Sequence, residues 1–390
     1  MGVRVVIAFE FATAGRIVFG AGKFNDAGQI AASFGKRVLL VTGGKSTDDP
    51  ADRLMRDLRG RGASVERFSV KGEPDLAIIQ QAVEAAKAMG AEVVIGLGGG
   101  AAMDSAKAVA ALLTNPGDIT DYLEVVGKGQ QTQIASAPCI CIPTTAGTGS
   151  EVTRNAVINV PEQRVKVSMR GPLMLPRVAL IDPELTYTMP PDVTAFTGLD
   201  ALTQCLEAYV SKRRNAFAQM IALEGLRAAN AIVKAFNASE AGDYLNLDNR
   251  EAREQMAYAA LCGGLALANS GLGAVHGFAS VLGARYPVPH GACCGILLPF
   301  VVSANRVRAG DATLFTDIID ALPELTENND LSHSLHWLNT EFNVPKLSQF
   351  GVKESDIPEL VQLSKQSNSM KANPYELTDE ELTGILQSAL

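Results

Sequence analysis

The chain has 390 residues, 47% of them hydrophobic and 19% charged, with a formal net charge of −8 at pH 7. That length suits about two domains, each able to bury its own core. The acidic balance argues against nucleic acid or an anionic membrane surface as the main partner. No segment reads as a transmembrane helix: the most apolar run, residues 292–304, is short and carries Pro299. The apolar start Val5-Val-Ile-Ala-Phe9, closed by Glu10, is too short for a secretory signal. Six cysteines (Cys139, Cys141, Cys205, Cys262, Cys293 and Cys294) lie in apolar surroundings without CxxC spacing. They read as reduced core residues of a cytoplasmic protein.

In chain order, Arg37-Val-Leu-Leu-Val-Thr42 is a continuous apolar run of the kind a buried parallel strand shows. A helix follows through Ala51-Asp-Arg-Leu-Met55, then a second strand at residues 63–70. Residues 75–89 space Ile78, Ile79, Ala82, Ala85 and Ala86 as one helical face. Residues 92–97 form a third strand, 102–113 a helix and Pro138-Cys-Ile-Cys-Ile-Pro143 a further strand. This alternation predicts a parallel sheet covered on both faces. After Pro183 the texture changes, and Met189-Pro-Pro191 acts as a breaker. Helical patterns then dominate residues 198–212, 216–236, 249–268 and 378–390, the last opening on the capping box Thr378-Asp-Glu-Glu381. The expectation is an α/β dinucleotide-binding domain over residues 1–186 and an all-α domain over residues 187–390.

Three loops follow strands of the first half. Gly98, Gly99 and Gly100 open a helix after the third strand, where bare backbone and a free helix N-terminus suit phosphate. Asp104, in the same helix, is either a ligand contact or an acid stabilising the helix dipole. Thr144, Thr145 and Thr148 bring hydroxyls into a second glycine-containing loop, suited to phosphate and ribose oxygens. Gly43 ends the first strong strand where an acid often binds the adenosine ribose. With Lys45 and Ser46 beside it, the reading favours NADP over NAD.

The helical half holds a different signal. Asp200 and Gln204, four residues apart, share a helix face. Two of the chain's four histidines, His276 and His290, flank a single apolar segment. An acid and two imidazoles make a coordination shell for a divalent transition metal, with Gln204 the weak member. The other histidines, His333 and His336, read as residues of a surface helix. Phe278, Ala292 and Cys293 hint at an apolar pocket.

Taken in order, these motifs resemble the iron-containing (group III) alcohol dehydrogenase family, related to glycerol dehydrogenase and dehydroquinate synthase. The resemblance spans nearly the whole chain: Gly15-Arg-Ile-Val-Phe-Gly-Ala-Gly22, Gly98 to Lys107, Asn115-Pro-Gly-Asp-Ile-Thr-Asp-Tyr122, Pro143 to Thr153, and Asp182-Pro-Glu-Leu185. It continues through Gly198-Leu-Asp-Ala-Leu-Thr203, Glu207-Ala-Tyr-Val-Ser211, Pro289-His-Gly291 and Leu297-Leu-Pro299. It implies a dehydroquinate synthase-like architecture with the site in the cleft between two domains, and an oligomer. It places the metal, Fe or Zn, on Asp200, Gln204, His276 and His290, and a ribose-contacting lysine at Lys166. Gln204 stands where the family usually has histidine, and Ser280 where it often has another. The implied reaction is hydride transfer between NAD(P)(H) and a primary alcohol or its aldehyde, with Asp200, His276 and His290 catalytic. A rival is a metal-independent reductase of the maleylacetate reductase kind, in which polar side chains replace the ion. A cyclising enzyme of the dehydroquinate synthase kind is disfavoured, since Lys212-Arg213-Arg214 is the only basic run near the site. A protein that binds the dinucleotide without turnover is the non-enzymatic alternative.

Overall fold

The structure, a computed structural model, describes residues 8–237, 249–309, 313–326 and 330–390. The Val5-Val-Ile part of the apolar start lies outside the described residues. The chain divides into two compact units, Thr13–Met189 and Pro190–Leu390, and residues 8–12 belong to the second. A division at residues 186 and 187 therefore misplaces the start of the chain. Asn269 accepts from the Ala12 amide at 2.7 Å and donates to its carbonyl at 3.0 Å, tying that segment to the helical unit.

The first unit is built on a six-stranded sheet in which every pairing is parallel. Its strands are β1 (Ile17–Phe19), β2 (Arg37–Thr42), β3 (Ser64–Ser69), β4 (Val93–Gly98), β5 (Cys139–Pro143) and β8 (Val178–Ile181), in spatial order β1-β8-β5-β4-β2-β3. β6 (Asn155–Val160) and β7 (Val165–Arg170) form a separate antiparallel ribbon. Its turn ends at Arg164, which takes a left-handed conformation at φ 52°. Helices α1 (Ala27–Ala32), α2 (Asp48–Gly60), α3 (Leu76–Ala88), α4 (Gly100–Thr114) and α5 (Ile119–Tyr122) complete the unit.

Strand alternation explains why both faces are covered. Val38, Leu40, Val93, Ile95, Ile140 and Ile142 pack with Leu54 and Leu58 of α2. Leu39, Val41, Val94, Cys139 and Cys141 turn the other way, onto Ile79 of α3 and Met103 of α4. The period-2 geometry of a strand divides one apolar run between two layers. At Gly96 a Cβ would lie 2.9 Å from the Met103 Cα, so α4 seats directly on β4.

The second unit is helical: α6 (Pro191–Val210), α7 (Ala216–Asn237), α8 (Arg250–Ser270), α9 (Ala274–Arg285), α10 (His290–Ala309), α11 (Thr313–Ala321), α12 (Leu331–Glu341), α13 (Ile357–Lys365), α14 (Asn368–Ala372) and α15 (Asp379–Ser388). The Thr378 capping box forms as its sequence predicts, with Glu381 Oε2 accepting from the Thr378 amide at 2.7 Å. By length and composition alone α10 could cross a membrane, as could α8 and α9 taken together, although they meet at 101°. Yet 61% of the most apolar window of α10 is buried within the protein, the environment of a core helix.

In the α/β unit a buried polar knot fixes the loop after β5. Lys107 of α4, 1% exposed, donates to the Ser150 carbonyl at 2.9 Å, the Ser150 hydroxyl at 2.8 Å and Thr153 Oγ1 at 2.9 Å. It also pairs with Asp104 at 3.0 Å. Glu151 beside it is 2% exposed. Burial pushes its carboxyl up to about 7, against the opposing pull of a hydrogen bond to its own backbone and of Lys107. An unfolded glutamate loses its proton near 4.3, so the native state holds the extra proton as pH rises from there to 7. Stability contributed at this position therefore falls over that window, by up to about 4 kcal/mol. Glu151→Gln should abolish the fall. Denaturant unfolding of the two proteins should show the variant gaining on the parent between pH 4.5 and 8, and parallel curves would contradict the assignment.

Candidate dinucleotide loops and metal-binding cluster

The chain passes from β2 outward to β3 and then returns to place β4 on the other side of β2. The carboxyl ends of β2 and β4 thus flank a point where strand order reverses, the position at which open α/β sheets bind ligands. Gly43 follows β2, and its amide donates to the Leu97 carbonyl of β4 at 3.3 Å. Gly98 has φ +152°, and a Cβ there would meet the Gly43 nitrogen at 3.1 Å and the Ala102 Cβ at 2.9 Å. Only glycine lets these two strand ends close on each other. Gly99 caps α4 without any side-chain hydrogen bond, which leaves the first amides of the helix to an anion.

The threonine loop meets the glycine turn directly. The Thr144 amide donates to the Gly98 carbonyl at 3.0 Å. A Cβ on Gly99 would stand 3.5 Å from Thr145 Oγ1, and one on Gly100 would stand 3.1 Å from Thr148 Cγ2. Gly43, Gly98, Gly99, Gly100, Thr144, Thr145 and Thr148 are thereby brought together. Lys45 and Ser46 are exposed in the turn after β2.

Asp104 faces inward instead. One carboxylate oxygen accepts from Ser150 Oγ at 2.5 Å and the other from the Val157 amide at 2.9 Å, which with Lys107 uses its capacity on the protein itself. The structure thus gives it a framework role in place of the expected cofactor contact or helix-dipole acid. Lys166, on β7, pairs with Glu73 at 3.1 Å.

In the helical unit, α6 carries Asp200, Gln204 and Glu207 on one face at spacings of four and three. Asp200 lies in the middle of α6, not at a helix start. The three are almost fully buried, at 2%, 3% and 2% exposure. Glu207 caps α9, accepting from the Val275 amide at 2.7 Å and the His276 amide at 3.4 Å. Its Oε2 also sits 2.7 Å from His276 Nδ1. Glu207 already accepts from two backbone amides, so Nδ1 donates to it, and Nε2 is turned the other way, 3.3 Å from Asp200 Oδ1.

His290 opens α10, with its Nε2 3.6 Å from the same Asp200 oxygen and its side chain 36% exposed, which leaves the cluster open on that side. Gly291 makes this approach possible, since a Cβ there would lie 1.9 Å from the Phe196 carbonyl oxygen of α6. The glycine of the Pro-His-Gly sequence is therefore demanded by helix packing.

Two features depart from the sequence expectation. Gln204 turns its amide nitrogen to Asp200, donating to Oδ1 at 3.0 Å, while its buried Oε1 has no hydrogen-bond partner. That oxygen lies against Gly263 of α8. Cys294, expected to be a small core hydrophobe, joins the cluster: its Sγ is 3.8 Å from Asp200 Oδ1, 3.8 Å from His276 Nε2 and 3.9 Å from His290 Nε2. Its spacing of four from His290 on one helix was the available signal. The ligand atoms of Asp200, His276, His290 and Cys294 all lie within 4.8 Å of one another. Phe278, Ala292 and Cys293 are completely buried core residues.

The electrostatics are those of a charged cluster in a dry place. Burial works against ionisation of Asp200, but His290, His276 and the Gln204 amide hold its carboxyl below the ordinary range. Burial likewise disfavours charge on His276, yet Cys294, Asp200 and Glu207 hold it well above. His290 is held above its ordinary range as well, by Cys294 and Asp200 against the cost of burial. The two imidazolium charges thus offset the buried acids; a divalent ion bound here would displace those protons, and the donor types suit zinc or iron.

Residues 14–183 match the model of the iron-containing alcohol dehydrogenases, and residues 194–390 match that of the family's C-terminal region. Alcohol dehydrogenase 4 of Saccharomyces cerevisiae is 35% identical over 363 residues, covering 91% of each chain. Lactaldehyde reductase of Escherichia coli K12 is 34% identical, covering 81% of each. A solved structure of 1,3-propanediol oxidoreductase is 29% identical and superposes with a TM-score of 0.90 over 98% of this chain and all of that one. The chain belongs to the iron-containing alcohol dehydrogenase family.

Proposed function

We propose that the protein interconverts a primary alcohol and its aldehyde with NADP(H), aided by a divalent metal held at Asp200, His276 and His290. The observation that carries this reading is the convergence of three ligand atoms on one buried point, with Glu207 fixing the tautomer of His276. When bound, the ion polarises the substrate oxygen and the nicotinamide donates or accepts hydride. The remaining work belongs to the chain. Glu207 orients the His276 ring and raises its basicity. Gln204 holds the Asp200 carboxylate in place through its amide. The exposed edge of His290 gives the substrate access. Gly98, Gly99 and Gly100 allow the diphosphate close to backbone amides, with Thr145 and Thr148 offering hydroxyls beside it. Asp104 and Lys107 support that loop from within, and Lys166 lies on the neighbouring ribbon as a candidate contact for the ribose.

NADP is favoured over NAD because Gly43 offers no carboxylate to repel a 2′-phosphate, and Lys45 is exposed two residues later. A Cβ at Gly43 would meet only Thr47, at 3.6 Å, so an acid fits there without strain. Gly43→Asp should lower kcat/KM for NADPH by about tenfold, or about 1.4 kcal/mol, and leave NADH no worse. An unchanged ratio of the two cofactors would remove this assignment.

The main reading is tested with NADPH and a panel of short aldehydes before and after metal stripping. Activity should vanish with chelation and return with ferrous or zinc ions. Full activity in stripped protein would instead favour metal-independent reduction of the maleylacetate reductase kind. Glu207→Gln should weaken metal affinity by roughly 10- to 100-fold in a competition titration, with KM for NADPH unchanged. Affinity equal to the parent's would show that the Glu207–His276 bond does not serve the metal.

A further inference from the structure

Four donor atoms on an ion obey a simple geometric rule. A tetrahedral metal with bonds of ~2.1 Å to nitrogen and oxygen and ~2.3 Å to sulfur needs donor–donor edges of about 3.4 Å, and of about 3.6 Å where sulfur takes part. Asp200 Oδ1 stands 3.3 Å from His276 Nε2 and 3.6 Å from His290 Nε2. Cys294 Sγ stands 3.8, 3.8 and 3.9 Å from Asp200 Oδ1, His276 Nε2 and His290 Nε2. These are five of the six edges of one tetrahedron, each within about 0.3 Å of the ideal, and the sixth, between the two histidine donor atoms, is within 4.8 Å.

Gln204 does not fit the same figure. Its nitrogen, which cannot ligate, faces Asp200, and its oxygen is aimed at Gly263. The polypeptide accounts for the sulfur's position. His290 and Cys294 are one helical turn apart on α10, and the close seating of Gly291 on the Phe196 carbonyl presses that turn against Asp200. Cys294 is in no disulfide among the described residues and is fully buried, with its sulfur turned to the cluster.

We propose that Cys294, and not Gln204, completes the protein's hold on the divalent ion, so that this chain binds its metal through an Asp–His–His–Cys set. The proposal rests on the metal reading above and sharpens it. A thiolate adds a second negative charge beside Asp200, which neutralises a divalent ion, and its softness favours zinc among the abundant metals. The exposed edge of His290 would leave the substrate a way to that ion.

The test replaces the metal in the full-length protein with cobalt(II), whose visible ligand-field bands report binding and whose near-ultraviolet thiolate charge-transfer band reports sulfur. The unsubstituted protein should show both. Cys294→Ser should lose the ultraviolet band, or fail to take up cobalt, whereas Cys293→Ser keeps both signals. X-ray absorption of the zinc-loaded parent should contain one sulfur at about 2.3 Å, a readout that needs no variant. Visible bands without the ultraviolet band, or a zinc shell of nitrogen and oxygen alone, would overturn the thiolate while leaving the metal reading intact. No cobalt or zinc uptake at all would remove the metal reading itself.

Discussion

The candidate metal cluster of the helical unit depends on a single carboxylate that faces the protein itself. Glu207 caps α9 through two backbone amides and grips His276 Nδ1 at 2.7 Å. The same side chain therefore sets where α9 begins, which way the imidazole faces, and which ring nitrogen is turned to Asp200. Without it, His276 would be a buried ring free to adopt either tautomer, and Asp200 would face an undefined partner. Fixed donors of this kind let a cation bind without reorganising the protein around it.

Close packing is the second constraint. Three helices must come near enough for side chains as short as aspartate and cysteine to share one point, and glycines at their contacts permit it. Gly291 accepts the Phe196 carbonyl, Gly273 accepts the Glu207 carboxylate and Gly263 accepts Gln204. The α/β unit solves a related problem, with Gly43 and Gly98 letting two strand ends meet beneath the glycine turn that opens α4. Its buried Lys107–Asp104–Ser150 knot then keeps the hydroxyl-bearing loop rigid from below.

Much of this was legible before any coordinates. The strongest apolar runs gave β2, β4 and β5, and the alternation of strand and helix gave the parallel sheet. β1 and β8 escaped because segments of three and four residues carry no measurable period. The β6–β7 ribbon went unassigned as a pair, although its alternating burial has the period of a strand. Asp200, His276 and His290 could be singled out as residue types, but the role of Glu207 depended on a helix cap that only folding reveals. Cys294 was hidden by its company: within Ala-Cys-Cys-Gly-Ile-Leu-Leu it looks like one more core residue. Asp104 misled in the opposite sense, since its place near a helix start resembles a ligand contact and its carboxylate turns inward.

The most direct test of the central claim is a crystal structure of the zinc-loaded protein, with anomalous scattering collected across the zinc edge. One peak is expected within bonding distance of Asp200 Oδ1, His276 Nε2 and His290 Nε2, with His276 Nδ1 still on Glu207. A map with no peak among those atoms, or with either imidazole rotated away from the carboxylate, would contradict the account.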